Sequence, residues 1–215
     1  MIRVATFDLD NTLYDTTTLP RDLLAPAIAA VRRANAGSDG VSAEVLEAAI
    51  QSGRRLGFLQ VAERFGIPVS LRAAWREVYQ GLRVTTRLTP YPDVLPFLQT
   101  LACTRVLLTT GFRGVQESKI AALDIAHLFQ AIYIDTLDGG AGPGKQRLLQ
   151  EMLERYHCQP REVLVVGDSA ENEIAAGNAL GAVTVQILRP GIVSADTAQY
   201  HVSTLAELPR LLATL

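Results

Sequence analysis

The chain has 215 residues, 48% of them hydrophobic, with 20 Lys and Arg against 22 Asp and Glu for a formal net charge of −2. That length and apolar content suit one α/β domain with a modest insertion. The scattered basic residues exclude the basic stripe of a nucleic-acid binder, the two cysteines exclude a disulfide framework, and no apolar run reaches the roughly eighteen residues of a membrane span.

Ile2 to Phe7 is short, apolar and rich in β-branched residues, which predicts a strand buried on both faces. It ends abruptly in Asp8 and Asp10, followed at once by Asn11-Thr12. From Arg21 to about Gly81 only helical periods appear: Leu23, Leu24, Ile28 and Val31; Val45, Leu46, Ala49 and Ile50; Phe58, Val61, Ala62 and Phe65; Leu71, Trp75, Val78 and Tyr79. Breaks fall at 36–40 and at Gly66-Ile67-Pro68, and Ser42 is placed to cap the second helix. This predicts a small helical bundle inserted after the first strand.

From Pro90 onward strands alternate with helices. Helix is expected over 94–101, 114–123, 145–157, 171–180 and 204–212. Strand is expected over 105–109, 131–134, 162–166 and 182–188. The alternation implies a parallel sheet with helices on both faces. The expected class is α/β: a Rossmann-like three-layer core from residues 1–15 and 89–215, with a small all-helical cap over 16–88.

In an open parallel sheet, ligands bind outside the carboxyl ends of the strands. The first strand ends in Asp8 and Asp10. The second ends in Thr109-Thr110-Gly111, and the strand over 162–166 ends in Gly167-Asp168-Ser169. The glycine-rich run 139–144 delivers Lys145 to the start of a helix. Clustered carboxylates raise one another's pKa unless a cation intervenes, and magnesium is the simplest such cation. A hard cation, a lysine and hydroxyl donors suit phosphoryl oxygens, and Asp8 can serve as a nucleophile.

These motifs resemble those of the haloacid dehalogenase superfamily, in its phosphatase-like branch with a helical cap. Asp8-Leu9-Asp10-Asn11-Thr12 matches its D-x-D-x-T motif. Val106-Leu107-Leu108-Thr109 matches the strand ending in Thr or Ser, Lys145 the lysine ahead of a helix, and Gly167-Asp168 through Glu173 the G-D-x-x-x-x-D motif. The resemblance implies Asp8 as nucleophile and metal ligand, and Asp10 as acid and base, with its backbone carbonyl on Mg2+. It implies Thr109 as a phosphoryl contact beside Thr110 and Gly111, Lys145 as charge balance, and Asp168 as a metal ligand. Glu173 stands where Asp is commoner and is given a supporting metal role. Asn11 stands where Gly is common, in a turn that Asn tolerates. Arg54 and Arg55 lie mid-cap, where this family carries substrate-selecting side chains; a solvated helix face explains them equally well.

The expected function is magnesium-dependent hydrolysis of a small phosphate ester through an aspartyl-phosphate. The expected setting is cytoplasmic, as a monomer or homodimer. A phosphotransferase or mutase would use the same residues. A metal-independent 2-haloacid dehalogenase is disfavoured by Asp10, and a non-enzymatic receiver-like domain leaves the cap unexplained.

Overall fold

A computed structural model describes residues 1–20, 22–37, 40–53 and 56–214. Six strands form one sheet: β1 (Val4–Phe7), β2 (Thr104–Gly111), β3 (Ala131–Thr136), β4 (Val163–Gly167), β5 (Val183–Ile187) and β6 (Tyr200–Val202). Their order is β3-β2-β1-β4-β5-β6, and every pairing is parallel. The order reverses at β1, so the crevice between the ends of β1 and β4 is the topological switch point where such sheets bind ligands.

Burial on both faces of β1 follows from its unbroken apolar run. Ala5 and Phe7 face one core layer with Leu107, Leu164 and Val166. That layer is closed by α5 (Val94–Thr100), α6 (Arg113–Leu123) and α9 (Leu208–Leu212). Val4 faces the opposite layer with Val106, Leu108, Val163 and Val165, closed by α7 (Lys145–Tyr156) and α8 (Ala175–Leu180). Phe7 anchors the first layer through an edge-on contact with Phe97, ring centroids 6.1 Å apart. This is the three-layer α/β architecture that the alternation predicts.

Between β1 and α5 the chain is helical: α1 (Ala25–Asn35), α2 (Ala43–Ser52), α3 (Phe58–Arg64) and α4 (Val69–Gly81). The four helices share an apolar core of their own, including Val31, Leu46, Val61, Leu71 and Trp75. Ser42 caps α2, its hydroxyl accepting from the Val45 N–H. No helix among the described residues is long and apolar enough to cross a membrane.

Three features differ from the expectation. The edge strand β6 is three residues long, too short for alternation to register. The last helix is a 3-10 turn over 205–207 that leads into the five-residue α9. The helix expected over 171–180 begins as a wide π-type turn over 170–174 before α8. That turn brings Glu173 back against Gly167, where a Cβ would collide with the Glu173 Cβ and Cγ. Glycine is therefore required at 167 for the carboxylate to reach the sheet edge.

Candidate active site

The ends of β1 and β4 set the site. The Asp8 N–H donates to the Val166 carbonyl at 3.0 Å, so the ladder continues one residue past β1 and fixes Asp8 at the sheet edge. Asn11 turns the chain in the left-handed region at φ 55°, as the sequence expectation requires. Lys145 reaches the same edge from the start of α7, after Gly144 at φ +83°. Its ammonium donates to Asp8 Oδ1 at 2.5 Å and also to Glu173 Oε1. The other Glu173 oxygen accepts from the Ser169 N–H at 3.1 Å.

Oxygens of Asp8, Asp168 and Glu173 all lie within 4.8 Å of one another. Three carboxylates thus face one ammonium. Burial pushes the Asp8 carboxyl up from its ordinary 3.8 to about 7, against the pull of Lys145 and with added repulsion from Glu173 and Asp10. Burial, then repulsion from Glu173 and Asp8, pushes Asp168 up to about 8. Asp168 has no ion-pair partner among the described residues. An all-oxygen, charge-deficient cluster of this kind fits a hard divalent cation such as magnesium.

Asp10 has different surroundings. The Lys119 ammonium donates to both its oxygens at 2.8 and 2.9 Å, the Tyr14 hydroxyl donates at 2.6 Å, and the Gln116 amide donates at 3.0 Å. Burial opposes its charge, but Lys119 and these hydrogen bonds outweigh it and hold the carboxyl below its ordinary value. Gln116 also donates to the Thr109 hydroxyl at 2.6 Å. The Thr110 hydroxyl donates to Asp135, whose other oxygen accepts from the Gly144 N–H at 2.9 Å. Asp135 thereby ties the end of β2 to the loop that presents Lys145.

Asp8, Asp10, Thr110, Gly111, Lys145, Asp168 and Glu173 line a single cavity of about 260 Å³. Thr109 joins them indirectly, through Gln116. Arg54 and Arg55 lie outside the described residues, although their neighbours Gly53 and Leu56 line the cavity. Lys119, Gln116, Tyr14 and Asp135 escape a reading based on strand ends. For Gln116 and Lys119 the signal is the stripe Gln116, Lys119, Ile120 and Leu123 on α6, where two long polar residues occupy an otherwise apolar, buried face.

The haloacid dehalogenase-like hydrolase family model matches residues 2–181. Over 201 residues the chain is 31% identical to glyceraldehyde 3-phosphate phosphatase of Methanopyrus kandleri, covering 88% of this chain and 85% of that protein. Over 119 residues it is 33% identical to human N-acylneuraminate-9-phosphatase, covering 51% of this chain and 46% of that protein. In fold it matches a phosphatase structure from Thermococcus onnurineus with a TM-score of 0.63, at 22% identity over 99% of this chain and 98% of that one. The chain belongs to the haloacid dehalogenase-like hydrolases and is an enzyme of their phosphatase-like branch.

Proposed function

We propose that the protein is a magnesium-dependent phosphomonoester hydrolase of small metabolites that works through a phosphorylated Asp8. The observation that carries this reading is the cluster at the ends of β1 and β4, with a buried Asp8 paired to Lys145 and grouped with Asp168 and Glu173. Asp8 and Asp168, with the Asp10 backbone carbonyl, would hold the magnesium. Both Glu173 oxygens already have partners, so its proposed contribution is to orient Lys145 and the Ser169 N–H. Bound there, the ion would neutralise charge on the phosphoryl oxygens and so let the Asp8 carboxylate approach phosphorus.

The Asp8 carboxylate attacks phosphorus, the bond to the leaving oxygen breaks, and Asp10 protonates that oxygen. Asp10 then removes a proton from the water that attacks the acyl phosphate, releasing phosphate and regenerating Asp8. The ionised Asp10 described above is in the state that the second step requires. For the first, the phosphoryl anion arriving beside it opposes its charge, and the proton that Asp10 passes to the leaving oxygen enters with the substrate monoanion. Lys145 balances charge on Asp8 and the phosphoryl group throughout. The helices over 16–88 act as a cap that screens the site, linked to the core by the Gln80 amide on the Asp138 carbonyl at 2.6 Å.

The test is rapid quench of the enzyme with p-nitrophenyl phosphate and magnesium, followed by borohydride reduction and peptide mass analysis. The expected product is homoserine at position 8, absent from Asp8→Asn protein, which releases no phosphate. Chelation should stop release. Turnover by Asp8→Asn, or turnover unchanged by chelation, would overturn the mechanism.

A further inference from the structure

The cavity has two unlike ends. The charged groups of the sheet edge occupy one, and the helical layer builds the other. There Phe58 at the start of α3, Tyr79 on α4 and Phe112, just before α6, form an aromatic wall. The Phe58 and Phe112 ring centroids are 5.4 Å apart and nearly perpendicular, and Tyr79 and Phe112 are 5.5 Å apart. Leu23, Leu56 and Leu82 continue this lining. A second void of about 60 Å³ inside the helical layer shares Leu56, Phe58 and Tyr79, so the wall has room behind it to give.

Polar groups at this end are few, and most are engaged. Beyond the sheet-edge cluster and Lys119, the charged lining residue among those described is Arg83. Its guanidinium donates to the Gln80 and Leu82 carbonyls and lies against Gly114, where a Cβ would clash with it. Gln60 is held by the Gly57 N–H and by Glu171. The Tyr79 hydroxyl alone among the aromatic wall's atoms can hydrogen-bond, and it has no partner among the described residues.

A polyol placed against this wall would lose its hydrogen bonds to water with one group of the wall to replace them. A flat apolar group would instead exchange water for aromatic contacts. We propose that the alcohol released by this enzyme carries a largely apolar group held between Phe58, Tyr79 and Phe112, with the Tyr79 hydroxyl as its hydrogen-bonding contact. This assignment rests on the phosphomonoester reading of the site.

Benzyl phosphate and glycerol 3-phosphate both release a primary alcohol, so their intrinsic chemistry is matched. Calorimetry on Asp8→Asn protein with magnesium should show benzyl phosphate binding at least about tenfold more tightly, with a negative heat-capacity change. Phe58→Ala, at a half-buried position, should bring the ratio of the two affinities toward one. Equal affinities, a preference for glycerol 3-phosphate, or an unchanged ratio in Phe58→Ala would overturn the assignment. Phosphate release by the unaltered enzyme, scored separately with p-nitrophenyl phosphate, judges the hydrolase reading. If that fails while benzyl phosphate still binds preferentially, the hydrolase reading falls and the apolar binding site stands.

Discussion

Two ion-pair clusters hold the two ends of the D-x-D-x-T turn, one at Asp8 and one at the Thr12 carbonyl, and they differ in how charge is balanced. At the Asp8 end, Asp8, Asp168 and Glu173 share Lys145, and burial pushes Asp8 to about 7 and Asp168 to about 8. At the Thr12 end, one cation meets one anion. Arg189 donates to Asp93 at 2.9 Å and to the Thr12 carbonyl at 3.0 and 3.2 Å, and its guanidinium lies 4.0 Å from the Tyr91 ring centroid. The same Asp93 oxygen accepts from the Thr204 hydroxyl and the Leu205 N–H. Burial opposes the Asp93 charge, but Arg189 and these donors hold its carboxyl below the ordinary value. A cluster short of positive charge is prepared for a ligand, whereas a balanced one holds architecture, here the site turn against the C-terminal segment.

The largest expected effect on stability is at the balanced pair. Arg189→Met leaves a mostly buried Asp93 without its cation and frees the Thr12 carbonyl, at a cost of about 3–5 kcal/mol. Denaturant melts should show the midpoint falling with the slope unchanged. Asp168→Asn, which removes one carboxyl from the deficient cluster, should not destabilise the metal-free protein. If Arg189→Met proves as mild as Asp168→Asn, the distinction between the clusters fails.

The site was more legible in the sequence than the residues that hold it. Asp8, Asp10, Lys145 and Asp168 could be read because a carboxylate or lysine at a strand end, or just after glycines, has no packing purpose, and position alone identifies it. Lys119 and Gln116 lie inside a helix, where their long apolar stems fit the buried stripe, so the periodicity registers as ordinary core. Arg189 and Asp93 lie 96 positions apart and meet only because β5 and α5 are brought together by the sheet order. The core layers were legible because apolar runs on β1, β2 and β4 are unambiguous. β6 was not, because three residues carry no period.

Lys119 offers an intermediate case, a balanced pair inside the site. If it keeps Asp10 ionised and oriented for the water-attack step, Lys119→Met should lower kcat about 100-fold for every ester, since all pass through the same phosphorylated Asp8. The specificity constant for p-nitrophenyl phosphate, whose leaving group needs no proton, should change far less, and a stoichiometric burst of p-nitrophenol should appear. Lys119→Arg should recover part of the loss. Parallel falls in kcat and kcat/KM without a burst would place Lys119 with Arg189, as architecture.

The pH dependence carries the clearest sign. Between the ordinary value of 3.8 and the native values of about 7 and about 8, folded Asp8 and Asp168 hold protons that the unfolded chain has released. Stability of the metal-free protein therefore declines as pH rises through that window. Asp93 has the opposite sign: its contribution is present above 3.8 and is lost as pH falls below that value. Magnesium binds the ionised carboxylates, so its stabilisation should be small at pH 5 and reach about 2 kcal/mol at pH 8 when present at roughly 30 times Kd. Thermal melts at the two pH values, with and without magnesium, should show this gain of about 4–8 °C only at the higher pH. Asp168→Asn should remove the Asp168 share of the decline, leaving that of Asp8, and most of the gain. A metal-free melting temperature flat from pH 5 to 8, or an equal magnesium gain at both, would mean that the Asp8 cluster is balanced after all. Its resemblance to the Arg189 pair would then outweigh the contrast.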